Sequence, residues 1–135
     1  MTSGGSLVAH RVYDAKTGRF TDFAALLSAS ADADALFLGE FHNDPGTHRL
    51  QLAILQGLSQ RRNDTLVLAM EMFERDAQPA LDGYLRGEIA ESAFLERSRP
   101  WPNYASDYRP MVEFAKANGW PVVAGNVPRR IASIV

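Results

Sequence analysis

Three short apolar runs occur along this chain, and the segments between them carry apolar residues at every third or fourth position. The runs cover residues 35–38, 65–70 and 121–124, and each is typical of a strand buried on both faces. Strands that alternate with helices predict an α/β domain whose parallel sheet is covered by helices on both faces. Because three strands make a small sheet, we interpret the chain as an incomplete half of a larger α/β domain.

Helix starts are predicted from capping residues. Asp44 followed by Pro45 is typical of a helix start, and the next helical turn contains His48, which we expect to be a packed or surface histidine. Thr21 is predicted to cap a short helix near the amino terminus, and Asp76 is predicted to cap another helix later in the chain.

The amino-terminal segment differs from the rest of the chain. Residues 1–6 are rich in Gly and Ser and predict a flexible tail, and residues 7–13 alternate as a half-exposed strand would. The segment lacks the basic start and long apolar stretch of a signal peptide, and no run approaches the roughly 20 residues of a membrane span. With no repeat or linker in view, residues 1–135 are predicted to form one domain.

Composition narrows the classes of function. With 46% hydrophobic and 10% aromatic residues, the chain can bury a core. A formal net charge of -2 argues against general nucleic-acid binding. The chain has no cysteine, which excludes disulfides, thiolate metal sites and thiol catalysis. No H-E-x-x-H, G-x-S-x-G or G-x-G-x-x-G pattern is present, so nothing predicts a zincin, a serine triad or a dinucleotide loop.

Polar side chains follow each of the three predicted buried strands. Glu40 and His42 follow the first, Glu71 the second, and Asn126 and Arg129 the third. Parallel strands bring their carboxyl ends to one edge of the sheet, where open α/β sheets bind ligands, so we expect one crevice here. Two glutamates and a histidine can bind a divalent metal or activate water for hydrolysis. The plainer interpretation makes each glutamate a helix cap or an ion-pair partner of the arginine.

Residues 98–110 place Trp101, Tyr104 and Tyr108 among prolines and arginines. One interpretation is a wall for a flat ligand such as a porphyrin, because tyrosinate can ligate haem iron and arginine can pair with propionates. The alternative is a loop packed over the sheet edge, with Tyr108 in the core. Composition alone favours the packed loop.

Several motifs that occur in a fixed order resemble one known family. They are the Gly-Glu-x-His turn in LFLGEFHND, the Glu-Met-Phe-Glu strand end, the Tyr-Arg-Pro helix start and the Asn-Val-Pro-Arg turn. Together they resemble the ChaN-like family of haem-binding, iron-regulated proteins, from about Val12 to Val135. That family belongs to a superfamily with erythromycin-esterase-like and Tiki-like enzymes. By this resemblance, Glu40, His42 and Glu71 occupy the acid/base and metal-associated positions of the superfamily.

The resemblance implies a haem-binding protein of bacterial iron or haem acquisition, with haem at a dimer interface and a tyrosine on the iron. Tyr104 and Tyr108 are the candidate ligands, and Trp101, Asn126 and Arg129 are expected to complete the haem site. The alternative is a metal-dependent hydrolase that uses the two glutamates and the histidine named above. Because the family is similar to bacterial envelope lipoproteins, the resemblance implies the cell envelope or the periplasm.

The chain departs from the family in its length. Family members run to about twice this length, which exceeds what one small domain needs. The absent half would carry further strands and a second Gly-x-x-His motif, so its absence weakens the enzyme interpretation more than the ligand-binding one. It also leaves a sheet edge that favours a homodimer or a strand-exchanged oligomer. Without a lipobox cysteine, no membrane anchor is expected in this chain.

Overall fold

The computed structural model describes residues 11–62 and 66–134, and it divides into two compact units, Met1–Asn63 and Asp64–Val135. The first unit contains β1 (Val12–Asp14), β2 (Arg19–Thr21), α1 (Phe23–Ala31) and α2 (Pro45–Ser59). The second contains β3 (Leu68–Glu74), a 3-10 turn (Arg75–Ala77), α3 (Gln78–Leu85), α4 (Glu91–Ser98), a π-helical turn (Tyr104–Tyr108), α5 (Arg109–Ala117), β4 (Val122–Asn126) and α6 (Arg129–Ala132). The tail predicted over residues 1–6 lies outside the described residues.

Strands β1 and β2 form an antiparallel hairpin in which Tyr13 pairs with Phe20. The two rings meet edge to face, with their centroids 5.3 Å apart. Asp14 closes the turn, because its carboxylate accepts a hydrogen bond from the hydroxyl of Thr17 at 2.8 Å. Strand β2 is absent from the sequence prediction because its three residues are exposed and contain no apolar run.

Aspartates begin both helices of the first unit. Asp22, not the predicted Thr21, caps α1, because its carboxylate accepts from the backbone N–H of Ala25 at 2.8 Å. The predicted start of α2 at Asp44 is confirmed, since its carboxylate accepts from the backbone N–H of Gly46 at 2.9 Å. Each cap satisfies an N–H group that would otherwise lack a partner in the first helical turn.

Helices α1 and α2 approach closely at one glycine. A Cβ atom placed on Gly57 of α2 would overlap the methyl groups of Leu27 on α1, so a larger residue at that position would require the Leu27 side chain to move. Leu27 and three residues of α2, namely Ile54, Leu55 and Leu58, are the buried apolar side chains described in this unit. The apolar core of the first unit is therefore small.

The strand predicted over residues 35–38 is wrong: the structure has neither helix nor strand there. Leu36, Phe37 and Leu38 are 41%, 93% and 43% exposed. A strand needs a neighbour that pairs with its backbone N–H and C=O groups, and an apolar run does not specify that neighbour. The predicted convergence of three strand ends therefore reduces to the two strands of the second unit.

Strands β3 and β4 pair in parallel, with Met70 opposite Ala124. Both of these side chains are buried. An irregularity follows, because the next paired residues are Glu74 and Asn126. Such bulges bend a strand and re-aim its side chains. The predicted α/β class, with helices flanking a small parallel sheet, is confirmed.

Helices α3, α4 and α5 begin without a hydrogen bond from a capping side chain. The prediction that Asp76 caps a helix is wrong, because it lies within the 3-10 turn and binds arginines instead. Gln78 ties α3 to β4: its amide donates to the carbonyl oxygen of Val122 at 2.9 Å and accepts from the N–H of Ala124 at 2.8 Å. Packing and this bridge position the helices of the second unit.

Aromatic rings form the core of the second unit. The fully buried ring of Phe94 stacks on Tyr84, with centroids 4.8 Å apart, and meets Tyr104 edge-on at 6.0 Å. Phe73 packs against Phe94 at 5.6 Å. Burial of each such ring contributes on the order of 2–3 kcal/mol. This core supports the strand ends that carry the candidate site.

Both tryptophans of the chain lie in the second unit. Trp101 meets Tyr108 edge-on with centroids 5.8 Å apart, and Trp120 meets Phe114 at 5.7 Å. Residues 98–110, which were expected to be a loop, thus include a π-helical turn whose last residue is packed.

Among the helices of the described residues, none is long and apolar enough to cross a membrane.

Candidate functional site

The side chains of Glu40 and His42 meet just before α2. Nδ1 of His42 lies 2.8 Å from Oε1 of Glu40. The other carboxylate oxygen of Glu40 accepts a hydrogen bond from Nε2 of Gln51 at 2.8 Å. The Glu40 side chain is 14% exposed, whereas that of His42 is 54% exposed. Helix α2 therefore fixes the carboxylate, and the carboxylate orients an imidazole that faces solvent.

His48 lies beneath this pair and is 2% exposed. Its Nε2 donates to the backbone carbonyl oxygen of His42 at 3.1 Å, and its Nδ1 lies 3.1 Å from Oε1 of Gln51. Oε2 of Glu40 lies 3.6 Å from the same Nδ1. We call these four residues, Glu40, His42, His48 and Gln51, the polar network of the first unit.

Sequence reasoning identified two members of the polar network and missed how they are supported. His48 is packed, as one of the two alternatives had it, but it also bridges Gln51 to the backbone of His42. The signal in the sequence is the three-residue spacing of His48 and Gln51, which places both on one face of a helix. Two buried polar side chains on the same helix face need a polar partner, and Glu40 is that partner.

Metal binding was predicted for Glu40, His42 and Glu71. Within residues 11–62 and 66–134, no group of three or more His, Cys, Asp or Glu side chains is arranged to hold a metal ion. Glu40 and His42 belong to the first unit and hydrogen-bond to each other, and Glu71 is an exposed residue of β3 in the second unit. The assignment of these three residues as a metal or catalytic set stays a prediction.

Arginines surround two acidic residues at the carboxyl end of β3. Glu74 lies 3.7 Å from Nε of Arg129 and 3.6 Å from Nη2 of Arg99. Asp76 lies 3.1 Å from Arg99 and 3.1 Å from Arg130. We call the three arginines with these two acids the arginine cluster. In the described part of the second unit, the ion-pair partner of Arg129 is thus Glu74 and not the Glu71 of the plainer interpretation.

Of the residues predicted at strand ends, Arg129 belongs to the arginine cluster and Asn126 lies beside it. Asn126 ends β4 and lies opposite Glu74 in the sheet. Arg129 begins α6, and its backbone N–H lies 3.3 Å from a carboxylate oxygen of Glu74. The structure therefore brings Asn126, Arg129 and Glu74 to one edge of the sheet, as the strand-end argument expects for that pair of strands.

The two candidate haem ligands lie inside the second unit. Tyr104 is 3% exposed, and Tyr108 is fully buried beside the partly buried Trp101. The hydroxyl of Tyr104 has no hydrogen-bond partner among the described residues. Burial raises the pKa of Tyr104, and the nearby Tyr84 and Glu91 add to the shift. Ligation of iron by either phenol requires that phenol to leave the core, and the choice between them stays a prediction.

Comparison with known proteins identifies a family. Residues 26–135 match the model of a family described as haem-binding uptake, Tiki superfamily, ChaN. No curated protein matches the chain. Among solved structures, ChaN of Campylobacter jejuni, whose structure is described as showing cofacial haem binding, matches with a TM-score of 0.70 and 20% sequence identity.

The structural match covers 92% of this chain and 51% of the Campylobacter chain, so this chain spans about half the length of that protein. At 20% identity, the likeness shows a shared fold. The family model extends over most of the chain, from the middle of α1 to the last residue. The match over residues 26–135 shows that the chain belongs to the ChaN haem-binding uptake family of the Tiki superfamily.

Proposed function

We propose that this chain binds haem and takes part in bacterial haem or iron acquisition. The observation that carries the proposal is the family match over residues 26–135. The Campylobacter relative, described as binding haem, has the same fold over 92% of this chain. When bound, haem supplies an iron centre whose axial ligand and surroundings set its reactivity.

Side chains at the carboxyl ends of β3 and β4 fit the acidic edge of haem. The Arg129 side chain is 87% exposed, and its nearest carboxylate lies 3.7 Å away, so its guanidinium is open to a second carboxylate. A guanidinium binds a carboxylate in a two-point arrangement, which suits a propionate. Asn126 lies at the same edge and adds an amide that can donate a hydrogen bond.

In this proposal, the phenol of Tyr104 or Tyr108 would hold the haem iron, and Trp101 would form part of the apolar wall. Tyr104 is favoured because its buried hydroxyl has no hydrogen-bond partner among the described residues, and a buried polar group without a partner destabilises the core. Burial raises the pKa of Tyr104, so at neutral pH its phenolate would need a cation such as ferric iron to compensate the charge.

We further propose that the haem site lies at a dimer interface, formed by a homodimer or a strand-exchanged oligomer. The supporting observation is the exposed apolar segment that precedes α2, where Phe37 is 93% and Phe41 is 80% exposed. The cell envelope or periplasm is the proposed compartment, by resemblance to lipoprotein-like members of the family.

A metal-dependent hydrolase that uses Glu40, His42 and Glu71 is the second candidate. It is favoured by one observation, the 2.8 Å contact between Glu40 and His42, which places an acid and a base within hydrogen-bonding distance. Metal analysis tests it: the hydrolase predicts a bound divalent ion that is lost in Glu40→Ala. A chain that hydrolyses no ester or peptide after metal is added contradicts it.

Titration of the full chain with hemin, followed by absorbance, tests the haem proposal. We expect a saturable Soret band, which Tyr104→Phe or Tyr108→Phe alters. The matched control is Tyr13→Phe, since Tyr13 is 58% exposed on the hairpin of the first unit. Absorbance that rises without saturation overturns haem binding, and an unchanged spectrum in both core variants overturns tyrosine ligation.

A further inference from the structure

The arginine cluster carries more positive charge than its acids neutralise. Among residues 11–62 and 66–134, the acids that pair with Arg99, Arg129 and Arg130 are Glu74 and Asp76, so the cluster has a formal excess of one positive charge. The three side chains are also 57%, 87% and 70% exposed, respectively. An anionic ligand can therefore reach the guanidinium groups without rearrangement of the core.

In the described part of the chain, most N–H groups of the three arginines have no acceptor. Each guanidinium has five N–H donors. Among the described residues, the Arg99 side chain donates to Asp76 and to the carbonyl oxygen of Arg97, and the Arg130 side chain donates only to Asp76. The guanidinium of Arg129 makes an ion pair at 3.7 Å, too long for a hydrogen bond. These N–H donors are available to bind the oxygen atoms of an anionic ligand.

The backbone holds Arg99 in an unusual conformation for this task. Arg99 follows α4 with φ 48° and ψ 53°, and it is the non-glycine residue with positive φ among the described residues. Side-chain-bearing residues adopt this left-handed region at a cost in free energy. From it, Arg99 reaches Asp76, which lies 23 positions earlier in the sequence.

The contacts of Glu74 and Asp76 indicate that the arginines can bind two neighbouring carboxylates. Asp76 is shared by Arg99 and Arg130, and Glu74 lies between Arg99 and Arg129, so the cluster already contains two neighbouring carboxylates. We propose that the arginine cluster binds the paired carboxylates on one edge of a flat ligand, the propionates of haem. For its choice of ligand this inference rests on the proposed function. Glu74 and Asp76 orient the guanidiniums before binding and compete with the propionates for them.

Iron-free protoporphyrin IX tests the proposal without axial ligation. The double variant Arg99→Gln/Arg130→Gln is compared with the wild-type full chain for binding of the porphyrin diacid and of its dimethyl ester, followed by fluorescence. We expect the double variant to bind the diacid about tenfold more weakly, since charge-assisted hydrogen bonds are lost, and the ester unchanged. Arg86→Gln is the matched control, because Arg86 is 58% exposed and pairs with Glu88.

A second variant keeps the test informative if the double variant unfolds. Asp76→Asn removes a competing carboxylate while its shape is retained, so we expect the diacid to bind several-fold more tightly and the ester to be unaffected. A general loss of structure cannot tighten binding. Equal effects on diacid and ester, or no difference from Arg86→Gln, overturn the proposal.

The arms of the experiment separate this inference from the proposed function. If hemin gives no saturable Soret band while the porphyrin diacid keeps the variant pattern, the haem function fails and the carboxylate site stands. If hemin binds equally well in every variant, the haem function stands and the arginine cluster is excluded from it. Succinate and inorganic phosphate are tested in parallel. Binding of either with the variant pattern, without binding of the diacid, assigns the cluster to small anions and overturns the porphyrin assignment.

Discussion

The two units of this chain are stabilised by different kinds of contact. In the first unit, aspartates cap α1 and α2, four apolar side chains are buried among the described residues, and a polar network holds the loop before α2. In the second unit, α3, α4 and α5 have no side-chain cap, but stacked aromatic rings fill the core. The first unit therefore depends more on side-chain hydrogen bonds, and the second depends more on aromatic packing.

The largest test of this contrast compares two phenylalanines. Phe94→Ala should lower the free energy of unfolding by about 3–5 kcal/mol, because the ring is fully buried and leaves a cavity. Phe37→Ala should change it by less than about 0.5 kcal/mol, because Phe37 is 93% exposed. Urea unfolding measures both. A large loss in Phe37→Ala would show that residues 35–38 are buried, as the sequence predicts.

The polar network makes the next largest prediction. His48→Ala should cost about 2–3 kcal/mol, because it removes a buried imidazole whose two ring nitrogens lie 3.1 Å from the amide oxygen of Gln51 and 3.1 Å from the carbonyl oxygen of His42. His42→Ala is the matched control and should cost under about 1 kcal/mol, since that side chain is 54% exposed. Thermal unfolding followed by circular dichroism compares the two. Equal losses would mean that the network does not support the first unit.

Two tyrosines of the second unit should respond in opposite directions. The hydroxyl of Tyr84 donates to Glu113, so Tyr84→Phe should lower the free energy of unfolding by about 1 kcal/mol. The hydroxyl of Tyr104 has no partner in the described chain, so Tyr104→Phe should raise it by about 1 kcal/mol. Urea unfolding at neutral pH measures both, and a loss in Tyr104→Phe would indicate a partner for its hydroxyl.

The same tyrosines predict the alkaline behaviour. Burial raises the pKa of Tyr84, and its hydrogen bond to Glu113 raises it further. The folded state therefore keeps its phenolic proton at pH values where the unfolded state has lost it. The contribution of Tyr84 to the free energy of unfolding is complete below its pKa in the unfolded chain, 10.0, and it declines as pH rises above that value. Tyr84→Phe should reduce the alkaline decline in the free energy of unfolding, measured by urea unfolding at a series of pH values. An unchanged dependence on pH would assign that decline to other groups.

The smallest prediction concerns acid pH and the first unit. The hydroxyl of Thr47 and the backbone N–H of Gly46 lower the pKa of Asp44, the cap of α2. The cap therefore contributes fully above the unfolded value of 3.8, and its contribution is lost as pH falls through the lower folded value. Asp44→Asn should make the helical signal less sensitive to acid, since asparagine caps without ionising. Equal acid sensitivity in both chains would contradict this.

Features that depend on neighbouring residues were predictable from the sequence. The start of α2 follows from Asp44 and Pro45, whose effect on the helix lies within a few residues. Apolar runs located β3 and β4, because both strands are bounded by turn residues. Residues 35–38 show the limit of this reasoning, since the same pattern occurs there without a strand. Pairing depends on a distant partner that a local pattern does not identify.

The candidate site shows the same division between local and distant contacts. Glu40 and His42 are two positions apart, and their contact follows from the turn that carries them. Arg129 was identified because it follows a strand, and Arg99 only as one of the arginines in residues 98–110, whereas Arg130 was not identified. Arg99 reaches its acid across 23 positions from a left-handed conformation that arginine rarely adopts. Nothing in the residue type signals that geometry.

The location of Trp101 and Trp120 determines what each spectroscopic signal reports. Both indoles lie in the second unit, so the tryptophan emission of the protein reports on the surroundings of residues in that unit. Far-ultraviolet dichroism instead averages over the helices of both units. Tryptophan emission and far-ultraviolet dichroism can change at different denaturant concentrations. The difference between their midpoints then measures how independently the first unit, which has no tryptophan, unfolds. The wild-type chain thus provides this readout without an added label.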